Sequence, residues 1–361
     1  MNAPAKEVCL TNTKNKIQLN SLITERLIQP CFYNNATRHH SLTLAGICDC
    51  PLEIINGLKI ERRDLCSSHE EADVIITQHA IASSILGKSV QVVCDDTDVF
   101  ALLVHFYHSH GKGSPMIMSS PVKERSVIDI KQTAAAHIDI ASDLLALHGL
   151  SGADTVSAIH GIGKTTVINL AKKGELSLSN VGNFNVDMEV VIAQSTKFIC
   201  STYGQTVAAC DSMTECRVKL WHLKTGKSGT KSIKLKALPP TSSAFIEHVN
   251  RAHMQVAIWK SALQDCPPGL DPTEYGWEID HQGTLIPRIA QQGTLFAPPY
   301  ILRLIRCQCK TSECRTAACN CANIGCTMFC LCEGGAMCKN PHTQKCIYDD
   351  NIDNENDETD S

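Results

Sequence analysis

The sequence predicts an α/β protein with a cysteine-rich end, and three observations carry that prediction. Helical patterns alternate with short β-branched runs over roughly residues 41–150, which is typical of a sheet covered by helices. Helical patterns then continue to about residue 265, and nine cysteines crowd into residues 307–338. Charge excludes little, because residues 347–361 carry seven acids and the remaining chain has a net charge of +3.

These patterns divide the chain into six parts. They are a poorly defined N-terminal segment (1–40), an α/β domain (41–150), a helical region with a lysine-rich loop (151–265), a linker (266–302), a cysteine-rich module (303–346) and an acidic disordered tail (347–361). The chain shows no signal peptide and no run of 18 apolar residues. We therefore expect a nuclear or cytoplasmic protein that binds no membrane, with the nucleus favoured. In such a reducing compartment the cysteines are expected to be thiols or metal ligands and not disulfides.

Each element of the α/β domain has its own signal. An Asn-Gly pair between two alternating arms predicts a hairpin over 52–60. A helix is predicted from Ser68 to about Leu86, followed by a buried parallel strand over 89–94. The apolar stretch 99–105 predicts a helix that packs back on the sheet, and 116–119 predicts a second strand.

Helices dominate the next part of the chain. One or two helices are predicted between Asp129 and Leu150, and a short one over Gly152–Ile159. Residues 242–265 are predicted to form an amphipathic helix, because apolar residues recur at spacings of four and three. That stripe consists of Phe245, Val249, Ala252, Val256, Trp259 and Leu263.

Three aspartates, Asp95, Asp96 and Asp98, follow the predicted strand directly. Ligands of open α/β sheets gather at the carboxyl ends of strands. Carboxylates so close together repel one another unless a cation lies between them, and they suit Mg²⁺ or Mn²⁺. The alternative is a solvated turn in which Asp95 caps the next helix.

Two further acidic groups flank this one in the sequence. Glu71 and Asp73 lie at the start of the preceding helix, where Ser68 to Glu71 also fits a capping box. Asp154 precedes Gly161 by seven residues and could equally cap a short helix. Each group taken alone is compatible with a purely structural role.

The stretch from His160 to Thr166, His-Gly-Ile-Gly-Lys-Thr-Thr, resembles the end of a phosphate-binding loop. A P-loop requires glycine five residues before Gly163, and that position is Ala158. The stretch fits a helix-hairpin-helix turn better, in which backbone amides and a helix N-terminus bind a DNA phosphate.

The order of these motifs resembles the flap endonuclease (XPG-type, PIN-like) nuclease family. That resemblance implies an incomplete PIN-like, mostly parallel sheet flanked by helices, and two Mg²⁺ or Mn²⁺ ions that cut a phosphodiester of branched or flapped DNA. The catalytic residues it implies are Glu71, Asp73, Asp96, Asp98 and Asp154. The DNA-binding residues it implies are Gly161, Ile162, Gly163, Lys164 and Thr165.

The sequence departs from this family at its N-terminal side. The family carries two further strand-end aspartates before the Glu-x-Asp helix, and the candidates here are Asp49 and Asp64. Neither follows a convincing buried strand. The chain is therefore interpreted either as a nuclease or as a DNA-binding relative whose cleavage is impaired.

The cysteines follow the pattern C-x-C-x4-C-x4-C-x-C-x4-C-x3-C-x-C-x5-C, and they are Cys307, Cys309, Cys314, Cys319, Cys321, Cys326, Cys330, Cys332 and Cys338. Three tetrahedral Zn²⁺ ions need twelve ligand positions, which these thiolates supply if three of them bridge. The pattern is similar to the tesmin-type CXC domain, a zinc module that binds DNA in its family. Here there is one copy, and Ala317 and Ala318 precede Cys319 where that family has a tyrosine.

Two functions remain open from the sequence. The first is a DNA-interacting protein related to metal-dependent structure-specific endonucleases, and the second is a non-catalytic zinc scaffold that binds protein partners through the CXC module. The combination of domains resembles animal proteins related to mobile elements. The oligomeric state is not predicted.

Overall fold

A computed structural model shows a mixed α/β architecture in the part of the chain that it describes. That part comprises residues 13–29, 40–46, 50–56, 58–111, 113–122, 126–174, 176–225 and 235–290, with Cys321, Gly325, Cys326, Cys330, Cys332, Cys338 and Asn340. The chain divides into two compact units, Met1–Gln291 and Gln292–Ser361. Each unit is described by itself.

The first unit contains helices α1 to α10 and strands β1 to β8. The helices span Thr13–Leu27, Ala72–Ile85, Thr97–His110, Ile130–Ala136, Leu144–Leu150, Lys164–Ala171, Met188–Thr202, Gln205–Ala208, Met213–Thr225 and Ser242–Lys260. The strands span Ser41–Leu44, Leu52–Ile55, Leu58–Glu61, Val90–Val93, Met116–Ser119, Ile128–Asp129, Trp277–Ile279 and Leu285–Pro287. Short 3₁₀ turns occupy Arg63–Leu65, Ile138–Ile140, Leu235–Ala237 and Pro272–Glu274.

The first sheet has the antiparallel order β1-β2-β3. The predicted hairpin is confirmed, because Leu52 pairs with Glu61 and Ile55 pairs with Leu58. Asn56 adopts a positive φ of 48° at the turn, a conformation that asparagine tolerates better than most residues. The pairing of β1 with β2 was not predicted.

The second sheet, β4-β5-β6, contains both strand directions. The parallel pairing of β4 with β5 confirms the two predicted strands, and α3 forms the crossover between them. Strand β6 runs antiparallel to β5. The expectation of a mostly parallel sheet is therefore corrected, because the connection from β5 to β6 is too short to hold the crossover that a parallel strand needs.

Helix α10 lies at the centre of the first unit. All five residues of the predicted stripe within it, Phe245, Val249, Ala252, Val256 and Trp259, are buried. The helix ends at Lys260 and not at 265, and the Thr241 hydroxyl caps its start by accepting from the Ala244 amide at 3.4 Å.

Helix α10 also buries polar side chains, each with a specific partner. His248 Nε2 donates to the Leu150 carbonyl at 2.9 Å. Arg251 Nη1 donates to the carbonyls of Gly276 and Arg288 at 2.7 and 2.8 Å. Because a buried polar group without a partner is costly, these bonds fix the position of α5 and of the β7-β8 hairpin against α10.

Two predicted local structures are wrong. The helix before β4 begins at Ala72 with Glu71 at its capping position, and the Ser68 amide donates to the Asp265 carbonyl at 2.9 Å, so the predicted capping box does not form. Residues 152–159 form no helix. Ala153 and Val156 instead close a tight turn through mutual backbone bonds of 2.8 and 3.0 Å, and Gly152 enters it with a positive φ of 112°.

Three further findings complete the first unit. Cys50 and Cys66 form a disulfide, so the expectation of thiols is wrong for this pair. The segment 266–290, expected to belong to a linker, holds the antiparallel β7-β8 hairpin. In the described part of the chain, no helix is both long and apolar enough to span a membrane.

The burial of His248 predicts a loss of stability in acid. Burial lowers the pKa of His248 to about 4, whereas an exposed histidine titrates near 6.5. The unfolded chain therefore binds the extra proton first, and stability falls as the pH drops from about 6.5 towards 4. Between pH 7 and pH 4.5 the free energy of unfolding should therefore fall by about 2 kcal/mol less in His248→Asn than in the parent protein. The Asn amide can still donate to Leu150. Urea unfolding of the parent protein and the variant at both pH values measures the free energy of unfolding. An equal loss in the two proteins would contradict the prediction.

Candidate metal sites and the glycine turn

The N-termini of α2 and α3 carry the predicted acidic residues to one edge of the second sheet. Asp96 lies three residues after the end of β4 and caps α3, where its Oδ1 accepts from the Asp98 amide at 2.8 Å. Asp73 lies in the first turn of α2, and Glu71 occupies the capping position of that helix. Carboxylates are favoured at helix N-termini because the helix dipole is positive there.

Three of these carboxylates form a group that could hold a metal ion. One oxygen each from Asp73, Asp96 and Asp98 lies within 4.8 Å of the others. Asp98 is buried, so a cation at this point would be partly shielded from water. Oxygen ligands of this kind suit a hard divalent cation.

The electrostatics of Asp73 bring in the remaining two predicted acids. Burial, and after it the negative charges of Asp96, Asp98, Glu71 and Asp154, together raise the pKa of Asp73 to about 6. The structure thus groups Asp73, Asp96 and Asp98, and it places Glu71 and Asp154 near enough for their charges to act on Asp73. Asp64 does not join them, because its carboxylate is paired with Arg62 at 2.6 Å. Asp49 lies outside the described residues, and Asp95 accepts from the Ser120 hydroxyl at 2.8 Å.

Two polar side chains hold two of these carboxylates in place. His148 Nε2 lies 2.7 Å from Asp98 Oδ1, and both residues are buried. Gln255 of α10 donates through Nε2 to both oxygens of Glu71 at 3.0 and 3.2 Å. The Gln255 Oε1 atom accepts from the Thr155 hydroxyl at 2.7 Å, which ties the turn carrying Asp154 to the same helix.

Sequence reasoning missed His148 and Gln255. Each is a polar residue inside an otherwise apolar face, His148 in the run Leu-Leu-Ala-Leu-His-Gly-Leu and Gln255 beside Val256. That signal was available, but it did not indicate which partner lies opposite. The pairings join residues 50 and 184 positions apart, and only the fold reveals them.

Lys164 points into the fold. Its ammonium donates to the His148 carbonyl at 2.7 Å and also to the Gly152 carbonyl. Burial lowers the pKa of Lys164 to about 8, while the charge of Asp98 works in the opposite direction. A P-loop lysine must reach a phosphate, so this orientation counts against nucleotide binding by the turn. The same two carbonyls engage the ammonium of Lys164, which the sequence predicted to bind DNA.

The glycine turn itself is open on its outer side. Gly161 has a φ of 81°, which favours glycine, and a side chain at Gly161 or Gly163 would meet no atom within 4 Å. Ile162 is 7 % exposed and anchors the turn in the core. Gly163 caps α6, and Thr165 is exposed in its first turn. The backbone of the turn, more than its side chains, is therefore accessible to a ligand.

The second unit brings cysteines into two overlapping groups. The sulfur atoms of Cys321, Cys326 and Cys330 lie within 4.8 Å of one another, as do those of Cys326, Cys332 and Cys338. Cys326 belongs to both groups, as a bridging thiolate would. Thiolate groups of this kind could hold Zn²⁺. The predicted ligands Cys307, Cys309, Cys314 and Cys319 lie outside the described residues.

Asn340 supports this cluster and was not predicted. It is fully buried. Its Nδ2 donates to the Cys321 carbonyl at 2.6 Å and lies 3.5 Å from Cys326 Sγ, while its amide lies 3.5 Å from Cys338 Sγ. Donors aimed at sulfur stabilise the thiolate form that binds metal.

Comparison with known proteins gives no match from family models, from curated proteins or from solved structures. The arrangement of side chains therefore carries the functional argument.

The aspartate group predicts stabilisation by a divalent cation. Mn²⁺ should raise the melting temperature of the protein, because a ligand that binds only the folded state stabilises it. The rise should be larger at pH 7.5 than at pH 5.5, since Asp73 loses its proton around pH 6. Asp96→Asn/Asp98→Asn should abolish the rise, whereas Asp139→Asn/Asp211→Asn, two exposed positions, should retain it. Equal responses of both double variants would refute the site.

The shared position of Cys326 predicts an unequal loss of metal. We expect the purified chain to contain zinc, and Cys326→Ser to lose more of it than Cys332→Ser, because Cys326 belongs to both sulfur groups. Exposed Cys266, in the first unit, supplies the control Cys266→Ser. Elemental analysis by mass spectrometry measures the zinc content. Equal content in all three variants would contradict the bridging arrangement.

Proposed function

We propose that the chain is a DNA-interacting protein of the flap endonuclease type, with a PIN-like core and a metal-dependent phosphodiesterase site. The observation that supports this most is the grouping of Asp73 with Asp96 and Asp98 from two chain segments, with the charges of Glu71 and Asp154 near enough to act on Asp73. Structural explanations account for single acids, such as Asp96 as a helix cap. They do not account for the grouping of these like charges, which costs stability unless a cation relieves it.

Each part of the site has a role in this proposal. Mg²⁺ or Mn²⁺ bound there would supply an activated water and would stabilise the leaving oxygen. The carboxylates of Asp73, Asp96 and Asp98 hold the cation. Gln255 and His148 keep Glu71 and Asp98 oriented towards it. The glycine turn supplies backbone amides for a phosphate of the DNA backbone.

The number of carboxylates bears on how well such a site cuts. The related nucleases supply two further aspartates, and Asp64 is engaged with Arg62 instead. We therefore propose binding and cleavage as separate properties, with cleavage the weaker of the two.

A second candidate function is favoured by the sulfur groups of the second unit. A module held together by Zn²⁺ could serve as a rigid docking element for protein partners. In that case the chain is a non-catalytic scaffold derived from a mobile element, and the acids have lost their catalytic role. A nuclear location would suit the first candidate, and either compartment would suit the second.

The decisive experiment is cleavage of a labelled branched DNA by the purified chain with Mg²⁺ or Mn²⁺. We expect cutting that Asp96→Ala/Asp98→Ala reduces by about 100-fold or more, as for loss of an essential electrostatic group. Cutting that survives in this variant would point to a contaminating nuclease. No cutting by either protein would leave only the binding part of the proposal.

Binding is tested by Gly163→Asp. Aspartate is a good helix cap, and the φ of Gly163 is −91°, so the fold tolerates the change. Its charge would nevertheless repel a phosphate at the turn. Weaker DNA binding with unchanged melting temperature and zinc content supports the role of the turn, and unchanged affinity refutes it.

A further inference from the structure

A cleft of about 440 Å³ opens beside the glycine turn. It is bounded by residues 157–160, which lead into the turn, and by the segment 235–240. The first turn of α10 and the end of β8 complete its walls through Ala244 and Pro287. Its volume falls in the range of sites for small organic ligands. None of the acids at the metal site lines it.

The charges in the cleft are of one sign. Four cationic side chains line it, those of Arg217, Lys236, Arg251 and Arg288, and none of the described lining residues is acidic. The charge of Arg288 is partly neutralised by two glutamates that do not line the cleft, Glu247 at 3.6 Å and Glu278 at 3.9 Å.

The hydrogen bonds of the other two arginines leave their charges in place. Arg217 donates to the Pro239 carbonyl, and Arg251 donates to the carbonyls of Gly276 and Arg288. These acceptors are neutral and orient the guanidinium groups, whereas the charge of nearby Glu247 partly offsets that of Arg251. Lys236 is exposed at the rim. The cleft therefore favours an anion.

The cleft also presents apolar surface beside the charges. Leu235 and Ile289 are 71 % and 84 % exposed, and both line the cleft together with Ile159, Leu238 and Pro239. Apolar side chains that stay this accessible mark a surface that a weakly polar group could cover. A ligand that matches both surfaces combines an anionic group with a flat ring.

We propose that this cleft binds a nucleotide of a single-stranded segment of nucleic acid, with the phosphate at Lys236 and Arg217 and the base against the apolar residues. The inference rests on the proposed function in one respect, because the adjoining glycine turn is taken to hold nucleic-acid backbone. It adds a second contact, made by the helical region and the β7-β8 hairpin, that recognises an unpaired strand.

The test is the affinity of the full-length protein for fluorescein-labelled dT10, measured by anisotropy in EDTA so that no cutting intervenes. Lys236→Glu reverses one charge, and Ala244→Trp fills the cleft. We expect each to weaken binding by about fivefold or more, in line with the loss of one phosphate or stacking contact. The control Lys197→Glu makes the same charge change at an exposed position outside the cleft and should stay within about twofold of the parent protein.

Three results would overturn the proposal that the cleft binds a nucleotide. They are unchanged affinity in Lys236→Glu, an equal loss in Lys197→Glu, and competition by a glutamate-rich decapeptide as strong as that by unlabelled dT10. Melting temperatures identify a variant that does not fold. Lys236→Glu keeps the test valid if Ala244→Trp fails, since its side chain is exposed.

The outcome is independent of cleavage. If the protein never cuts DNA but binds dT10 in a manner sensitive to Lys236→Glu, the phosphodiesterase proposal fails and the cleft stands. If cutting depends on Asp96 and Asp98 while both cleft variants bind dT10 as tightly as the parent protein, the phosphodiesterase proposal stands and the proposal for the cleft fails.

Discussion

The polar side chains buried on α10 impose the constraint on which the first unit depends. A helix with apolar residues alone would accept neighbours in several orientations, because apolar contact has little directionality. His248, Arg251 and Gln255 each require one acceptor or donor at a defined place. They find it in α5, in the β7-β8 hairpin and in Glu71 at the sheet edge. One helix thereby sets the positions of three otherwise distant parts of the chain.

The acidic edge is the region that most needs such positioning. Like charges at short range would spread apart if their backbones were free to move. Here Asp96 is held by the first turn of α3, Asp98 by His148, and Glu71 by Gln255. The cost of this repulsion is visible in Asp73, whose raised pKa reflects burial beside its neighbours.

The sequence was informative where the signal is local. Strands β4 and β5, the Asn-Gly hairpin and the stripe of α10 follow from patterns a few residues long, and the acids were found from their order along the chain. The turn at 153–156 was missed because Gly152, with its close approach to Ala158, outweighs the helical pattern around it. The Cys50–Cys66 disulfide, His148 and Gln255 were missed because their partners become neighbours only in the folded chain.

The position of Cys326 in two sulfur groups has a consequence for the way the second unit would bind metal. A thiolate shared by two ions donates less electron density to each, and removal of one ion leaves the other with an altered ligand. The two positions are then thermodynamically coupled and not independent. Because the shared thiolate would donate less to each ion once both are bound, the second ion would bind more weakly than the first, and a partly filled state would accumulate during loading and loss of metal.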